Sequence, residues 1–255
     1  MISTLPPIKK RIAKIALLES KLNRALEYYY FYLANSDPSP DDLPLLLQKL
    51  EAKFGGYINH VEATVDAVQV NRIYPGTHTG GDRMNILFHD YSLIYSEYIA
   101  SKKNLPISLL EIGILKGTGL AVFSKFFDKT TIIGFNHDTG IFENNYQNLL
   151  NLGAFEKGAP IVRFFDQFSD NTEMLQATLV GNSLDIVIDD AFHSDESIIN
   201  SFIELRPYLS AEFVYFIEDN RTAWKKLSKR FPEYDFNNFG EITVVVPRKS
   251  AADTV

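Results

Sequence analysis

Leu184-Asp185-Ile186-Val187-Ile188-Asp189-Asp190-Ala191-Phe192-His193 is an apolar run that ends in two carboxylates and an imidazole. A short, nearly continuous apolar run bounded by polar residues reads as a strand buried on both faces, as in a parallel sheet. A second run, Phe213–Ile217, ends the same way at Glu218-Asp219. If the two strands are parallel neighbours, both acidic tips reach one sheet edge. Outward from these runs the pattern repeats. Apolar segments at 108–113, 131–135 and 161–165 alternate with amphipathic segments near 118–127, 142–152, 172–179 and 194–209. Strands alternating with helices predict a parallel sheet with right-handed crossovers. After a helix near 224–231, the runs 234–239 and 241–246 sit too close together for a helix between them. They predict an antiparallel hairpin, and with it a seven-stranded mixed α/β sheet with helices on both faces.

Composition narrows the partners. The 25 Lys+Arg against 32 Asp+Glu give a net charge of −7 with no basic stripe, which argues against nucleic acid. Without Cys there is neither a disulfide framework nor a thiolate metal site. No apolar run approaches the roughly 20 residues that span a bilayer. Lys9, Lys10 and Arg11 are not followed by a secretory apolar segment before Lys14 and Glu19. The expectation is a cytoplasmic protein with no membrane contact.

Upstream of the alternation lies an N-terminal helical extension, residues 1–70, before the sheet domain at 71–255. Residues 8–34 carry Ile8, Ile12, Ile15, Leu22, Leu26, Tyr29 and Leu33 on one stripe, read as a long helix packed on its own domain or on a second copy. Asp37-Pro38-Ser39-Pro40 breaks it, and a shorter helix over about 41–54 stops at Gly55-Gly56. The stretch 71–82 reads as a glycine-rich loop, and 83–100 as a tyrosine-rich helix.

Three carboxylates and a histidine at one edge suit metal-assisted chemistry. Hard oxygen ligands without Cys favour Mg2+ or Mn2+. A neutral imidazole one turn past Asp190 is placed to accept a proton.

The turn after the first strand, Glu111-Ile112-Gly113-Ile114-Leu115-Lys116-Gly117, matches E-x-G-x-x-x-G. It resembles the first motif of class I methyltransferases, which implies S-adenosylmethionine held by Glu111, Gly113 and Gly117. The resemblance carries to Asn136 or Asp138 for the ribose, and to Asp166 and Gln167 near the adenine. That family usually has Asp or Glu where this chain has Asn136. The segment Asp185–His193 followed by Tyr215-Phe216-Ile217-Glu218-Asp219 is similar to the macrolide-sugar O-methyltransferases and to cephalosporin hydroxylase-like proteins. Asp82-Arg83, His89-Asp90-Tyr91, Tyr95, Thr222 and Trp224 add to that likeness, which spans roughly 80–224.

The resemblance implies a Rossmann-like class I methyltransferase fold and an O-methyltransferase acting on a hydroxyl of a sugar or glycosylated small molecule. It implies Mg2+ on Asp190, Glu218 and Asp219, His193 as general base, and a homo-oligomer. Ala191-Phe192 and Ala211-Glu212 depart from the family's Gly-Ser and Gly-Gly. The competing readings are an Fe(II) oxygenase, weakened by His193 being the only histidine expected at that edge, and a binding protein without catalysis.

Overall fold

The computed structural model describes residues 42–55, 82–84 and 89–249. The helix expected at 8–34, almost all of the 71–82 loop and the boundary near residue 70 lie outside the described residues.

One sheet organises the chain. Its strands are β1 (Pro106–Ile112), β2 (Lys129–Asn136), β3 (Ile161–Phe164), β4 (Leu184–Asp189), β5 (Leu209–Ile217), β6 (Tyr234–Asn238) and β7 (Thr243–Pro247). They lie in the order β3-β2-β1-β4-β5-β7-β6. The first five pair in parallel. β7 runs antiparallel to both β5 and β6. The mixed seven-stranded sheet and its closing hairpin are therefore as the alternation predicts.

The helices are α1 (Leu43–Gly55), α2 (Ser92–Ile99), α3 (Thr118–Phe126), α4 (Gly140–Asn151), α5 (Thr172–Leu179), α6 (Asp195–Leu205) and α7 (Ala223–Arg230). Both sheet faces are buried, and successive strand residues divide between them. Leu109, Ile186, Ile188, Val214 and Phe216 pack with Leu47 of α1, Tyr95 of α2 and Phe123 of α3. Leu110, Val187, Tyr215 and Ile217 pack with Leu175 of α5, Phe202 of α6 and Leu227 of α7. Each buried aliphatic or aromatic side chain contributes about 1.5–3 kcal/mol, so a register slip of one residue would exchange the two cores.

Two helix boundaries differ from expectation. The helix read over 83–100 begins only at Ser92: Arg83 and Met84 form a bend and Asp90 has φ 51°, outside helical space. α6 ends at Leu205 because Arg206–Tyr208 tightens into a 3-10 turn carrying Pro207, and β5 begins at Leu209. At its start the Ser194 hydroxyl accepts from Ser197 N–H at 3.0 Å, with Asp195 and Glu196 beside the positive end of the helix dipole.

The chain moves outward from β1 to β3, then crosses back to place β4 against β1. The connections leave these two strands in opposite directions, which opens a crevice beyond their C-terminal ends.

Candidate active site

The turn after β1 is shaped by close packing. Gly113 has φ 89°, donates its N–H to the Phe135 carbonyl at 2.9 Å, and would drive a Cβ into the Asp190 carbonyl. Gly117, at φ 83°, would drive one into the Phe142 ring. Both glycines let other parts of the protein approach. Gly119 is the one whose open side faces functional groups, because a Cβ there would meet the Glu111 carboxylate and the Arg83 guanidinium. Glu111 is 2% exposed. Its Oε1 accepts from Arg83 at 2.7 Å, while its Oε2 is buried without a partner. A cavity of about 70 Å3 opens here, bounded by Glu51, Arg83, Glu111, Gly113, Lys116 and Asp190 among others. A buried carboxylate oxygen without a donor is rare in folded proteins. Its presence beside this cavity fits the ammonium of an amino-acid-bearing cofactor.

At the tip of β2, Asn136 donates to the Asp138 carbonyl, and Asp138 Oδ1 accepts from Gly140 N–H at 2.9 Å. Both residues stand next to the Gly113 turn, since β2 pairs with β1 through Phe135. After β3, Asp166 accepts from Phe168 N–H at 3.0 Å and from the Ser169 hydroxyl at 2.8 Å. These bonds hold its carboxyl below the ordinary range. Gln167 turns inward. Its amide donates to Asp189 at 3.0 Å and Ser201 at 2.8 Å, and its carbonyl accepts from Phe192 N–H at 3.1 Å. With both amide atoms engaged, Gln167 braces the β4 turn.

The β4 and β5 tips are locked to the sheet by Asp190 N–H to the Ile112 carbonyl at 2.9 Å and Glu218 N–H to the Asp189 carbonyl at 3.0 Å. Asp189 points to the α5–α7 face, where Gln167 and the Tyr215 hydroxyl (3.2 Å) bind it. Burial pushes its carboxyl up to about 7. Asp190 and Glu218 point to the other face, and there they meet Arg83. One Arg83 terminal nitrogen donates to Glu111 and to Asp190, both at 2.7 Å, and Nε donates to Glu218 at 2.9 Å. The Tyr95 hydroxyl takes the second Glu218 oxygen. Burial raises the carboxyls of Glu111, Asp190 and Glu218, and Arg83 opposes the rise at each. Burial also works against the Arg83 charge, but the three carboxylates outweigh it and hold the guanidinium protonated.

His193 and Asp219 close the edge. Both have left-handed backbones, φ 60° and 53°, a conformation that costs a non-glycine residue of order 1–3 kcal/mol and is found where surrounding structure enforces it. Asn220 donates to the His193 carbonyl at 2.9 Å. His193 Nδ1 lies 3.4 Å from the Glu218 carbonyl and Nε2 lies 3.9 Å from Asp190. A proton on Nδ1 directed at that carbonyl leaves Nε2 as the basic nitrogen. Asp219 accepts from the Tyr91 hydroxyl at 2.9 Å and lies 3.4 Å from His89 Nδ1. His193 is therefore not the only histidine at this edge, as the sequence had suggested.

The metal set expected from the sequence is brought together only in part. Asp190, His193 and Asp219 each offer a ligand atom within 4.8 Å of the others, as do His89, Asp219 and Glu241. Glu218 belongs to neither group, and both its oxygens are engaged, by Arg83 and Tyr95. With Arg83 in place, Asp190, Glu218 and Asp219 do not fit a shared divalent ion.

No protein-family model matches the chain, and no curated protein matches its sequence. Solved structures do match in shape. A putative O-methyltransferase from Klebsiella pneumoniae superposes with TM-score 0.52 at 11% identity, covering 91% of this chain and all of that one (100%). The MycE methyltransferase of the mycinamycin pathway, solved with Mg and SAH, gives 0.50 at 18% identity over 65% of this chain and 52% of its own. A putative caffeoyl-CoA O-methyltransferase from Staphylococcus aureus gives 0.50 at 14% identity, covering 73% of this chain and 95% of that one. The fold is that of the class I methyltransferases. The chain spans about half the length of the MycE structure it matches. Among the described residues no helix is long and apolar enough to cross a membrane.

The glycine motif and the acidic strand tips located this edge, but several of its working residues were overlooked. Arg83, Tyr91 and Tyr95 were visible as elements of a resemblance, without a role, and His89 beyond that only as the base next in line after His193. Glu51 carried no signal, as a lone acid on an amphipathic helix. It accepts from Met84 N–H at 2.8 Å, which ties α1 to the segment carrying Arg83.

Proposed function

We infer that the chain is an S-adenosylmethionine-dependent O-methyltransferase. The unpartnered Glu111 Oε2 in the crevice between β1 and β4 carries this reading. It is an acceptor waiting for a cation at the place where this fold binds ligands. Glu111 would take the cofactor's ammonium, with Asn136 or Asp138 toward the ribose and Asp166 toward the adenine. When bound, the cofactor supplies an electrophilic methyl group. His193 Nε2 would take the proton from the acceptor hydroxyl as that oxygen bonds to the methyl carbon and the carbon–sulfur bond of the sulfonium breaks, releasing a neutral thioether. Phe192, 68% exposed, meets Phe168 edge-on with ring centroids 5.4 Å apart. Together they give the mouth beside His193 an apolar wall suited to the flat face of a sugar ring or glycoside, the acceptor class implied by the resemblance. A homo-oligomer through the N-terminal stripe belongs to the same reading, and light scattering of a chain lacking residues 1–36 tests that part. Mg2+ enters it only as an ion that Asp190, Asp219 and His193 would share, in which case His193 would not be free as a base.

The test is a thermal-shift titration with S-adenosylmethionine, then a glycoside screen with labelled methyl donor, on parent and His193→Asn. Asn tolerates the left-handed backbone better than Ala. The variant should bind cofactor normally and lose about 10²–10⁴-fold in rate, the usual reach of general-base catalysis. Full activity in the variant would move the base elsewhere. Absence of cofactor binding by the parent would end the methyltransferase reading.

A further inference from the structure

We propose that Arg83 is the resident cation of this sheet edge, a positioning residue that orders Glu111, Asp190 and Glu218 in the role otherwise expected of a divalent ion. Three observations converge on it. The guanidinium makes three charge-assisted bonds of 2.7, 2.7 and 2.9 Å to carboxylates from three different strand ends. It is 8% exposed and Glu218 is 2% exposed, so water does little to screen them. Glu218 is also fixed from behind: Tyr95, which holds its second oxygen, is fully buried and stacks on Phe216 at 4.1 Å between centroids.

Metal and arginine compete for the same oxygens. Mg2+ needs carboxylate oxygens at about 2.0–2.1 Å in near-octahedral array. Asp190 Oδ2 and Glu218 Oε2 already have guanidinium nitrogens directed at them. An ion bridging these two residues would have to displace Arg83 or sit against a like charge. Arg83 is in turn anchored. Its carbonyl accepts from Tyr91 N–H at 3.0 Å, and the next residue, Met84, donates to Glu51. Arginine suits the position because its planar fork serves several carboxylates at once.

The arrangement also ties the two halves of the crevice together. The same terminal nitrogen that binds Asp190 on the His193 side binds Glu111 on the cavity side. Movement of Arg83 therefore reorients both carboxylates together.

The proposal concerns the unliganded edge and does not depend on methyl transfer, so Mn2+ binding without cofactor tests it alone. Mn2+ affinity is measured by electron paramagnetic resonance for the parent, Glu218→Gln and Arg83→Met. Two parent results support the proposal: no binding below millimolar Mn2+, or binding that Glu218→Gln changes by less than twofold. In Arg83→Met the freed carboxylates should take up Mn2+ at least tenfold more tightly than in the parent, and Mn2+ should raise the variant's melting temperature more than the parent's. A parent that binds Mn2+ and loses tenfold or more in Glu218→Gln overturns the proposal. So does an Arg83→Met chain that folds and binds Mn2+ no better than the parent. If Arg83→Met does not fold, the Glu218→Gln comparison decides.

Discussion

Asp189 and Glu218 stand back to back. The Glu218 N–H donates to the Asp189 carbonyl at 3.0 Å, yet the two side chains lie on opposite faces of the sheet. On the α5–α7 face, Asp189 is satisfied by neutral donors, Gln167 and Tyr215, in a closed core. On the α1–α3 face, Glu218 is satisfied by a cation that it shares with two other carboxylates, one of which keeps an oxygen without a partner. The difference separates scaffold from site. A closed set of neutral hydrogen bonds has no capacity left for a ligand. A guanidinium divided among three carboxylates leaves negative charge facing a cavity, where a cationic ligand completes the balance.

The largest effect should come from disturbing the point where the two faces meet. Gly113→Val places a Cβ on the Asp190 carbonyl at φ 89°, a conformation hostile to a β-branched residue. We expect loss of folded, soluble protein rather than selective loss of cofactor binding. A Gly113→Val chain with the parent's circular dichroism and melting temperature would show that the turns after β1 and β4 can separate. Next in size is Arg83→Met. It strands the buried carboxylates of Glu111 and Glu218 and the half-buried one of Asp190, and breaking a buried ion pair by removing one partner typically costs about 3–5 kcal/mol. Urea denaturation at neutral pH, without metal, measures it.

A smaller effect should come from Glu51, the acid that holds the Arg83 segment from α1. Burial, with Asp82 adding to it, pushes its carboxyl from 4.5 up to about 8. The folded protein therefore holds a proton that the unfolded chain releases near 4.5. The associated stability is fully present below pH 4.5 and is lost as pH rises through 8. Within that window the slope approaches about 1.4 kcal/mol per pH unit, so Glu51 should cost the parent about 2 kcal/mol between pH 5 and 7. Glu51→Gln should remove this part of the decline. An unchanged pH dependence in the variant would place the titration elsewhere.

The sheet was legible because its signal is local: strand-length apolar runs, amphipathic segments alternating with them, and spacing too short for a helix before the last hairpin. The edge was legible because the acidic residues fall at strand ends. The partner of those acids was not. Arg83 precedes Glu218 by 135 residues, and only the register of β1, β4 and β5 reveals that Glu111, Asp190 and Glu218 share the face to which Arg83 is delivered. The glycines need the folded structure for a similar reason. A motif says that a side chain is forbidden, and only the packed structure says whether a ligand, a carbonyl or a phenyl ring forbids it. At Gly113 it is the Asp190 carbonyl, at Gly117 the Phe142 ring, and at Gly119 the Glu111–Arg83 pair.

The smallest effect should be Asp189→Asn, the counterpart of Arg83→Met on the closed face. The amide oxygen can still accept from Gln167 at the Oδ1 position. The Tyr215 hydroxyl, which now donates to Oδ2, can rotate to accept from the new amide nitrogen, because a hydroxyl both donates and accepts. No buried polar group is then left without a partner, and the expected cost is about 1 kcal/mol or less, the scale of one neutral hydrogen bond. The pH response supplies the sign. Burial raises the Asp189 carboxyl from 3.8 to about 7, so its contribution is fully present below pH 3.8 and is lost as pH rises through 7. The variant should therefore lie slightly below the parent at pH 5 and overtake it by pH 8, because the parent loses about 1.4 kcal/mol per pH unit up to pH 7 and the amide loses nothing. Urea denaturation of the two chains at those two pH values measures both quantities. A loss of several kcal/mol at pH 8, comparable to that of Arg83→Met, would mean that Asp189 is held as an essential anion, and the contrast between a neutral, closed face and a charged, open one would fail.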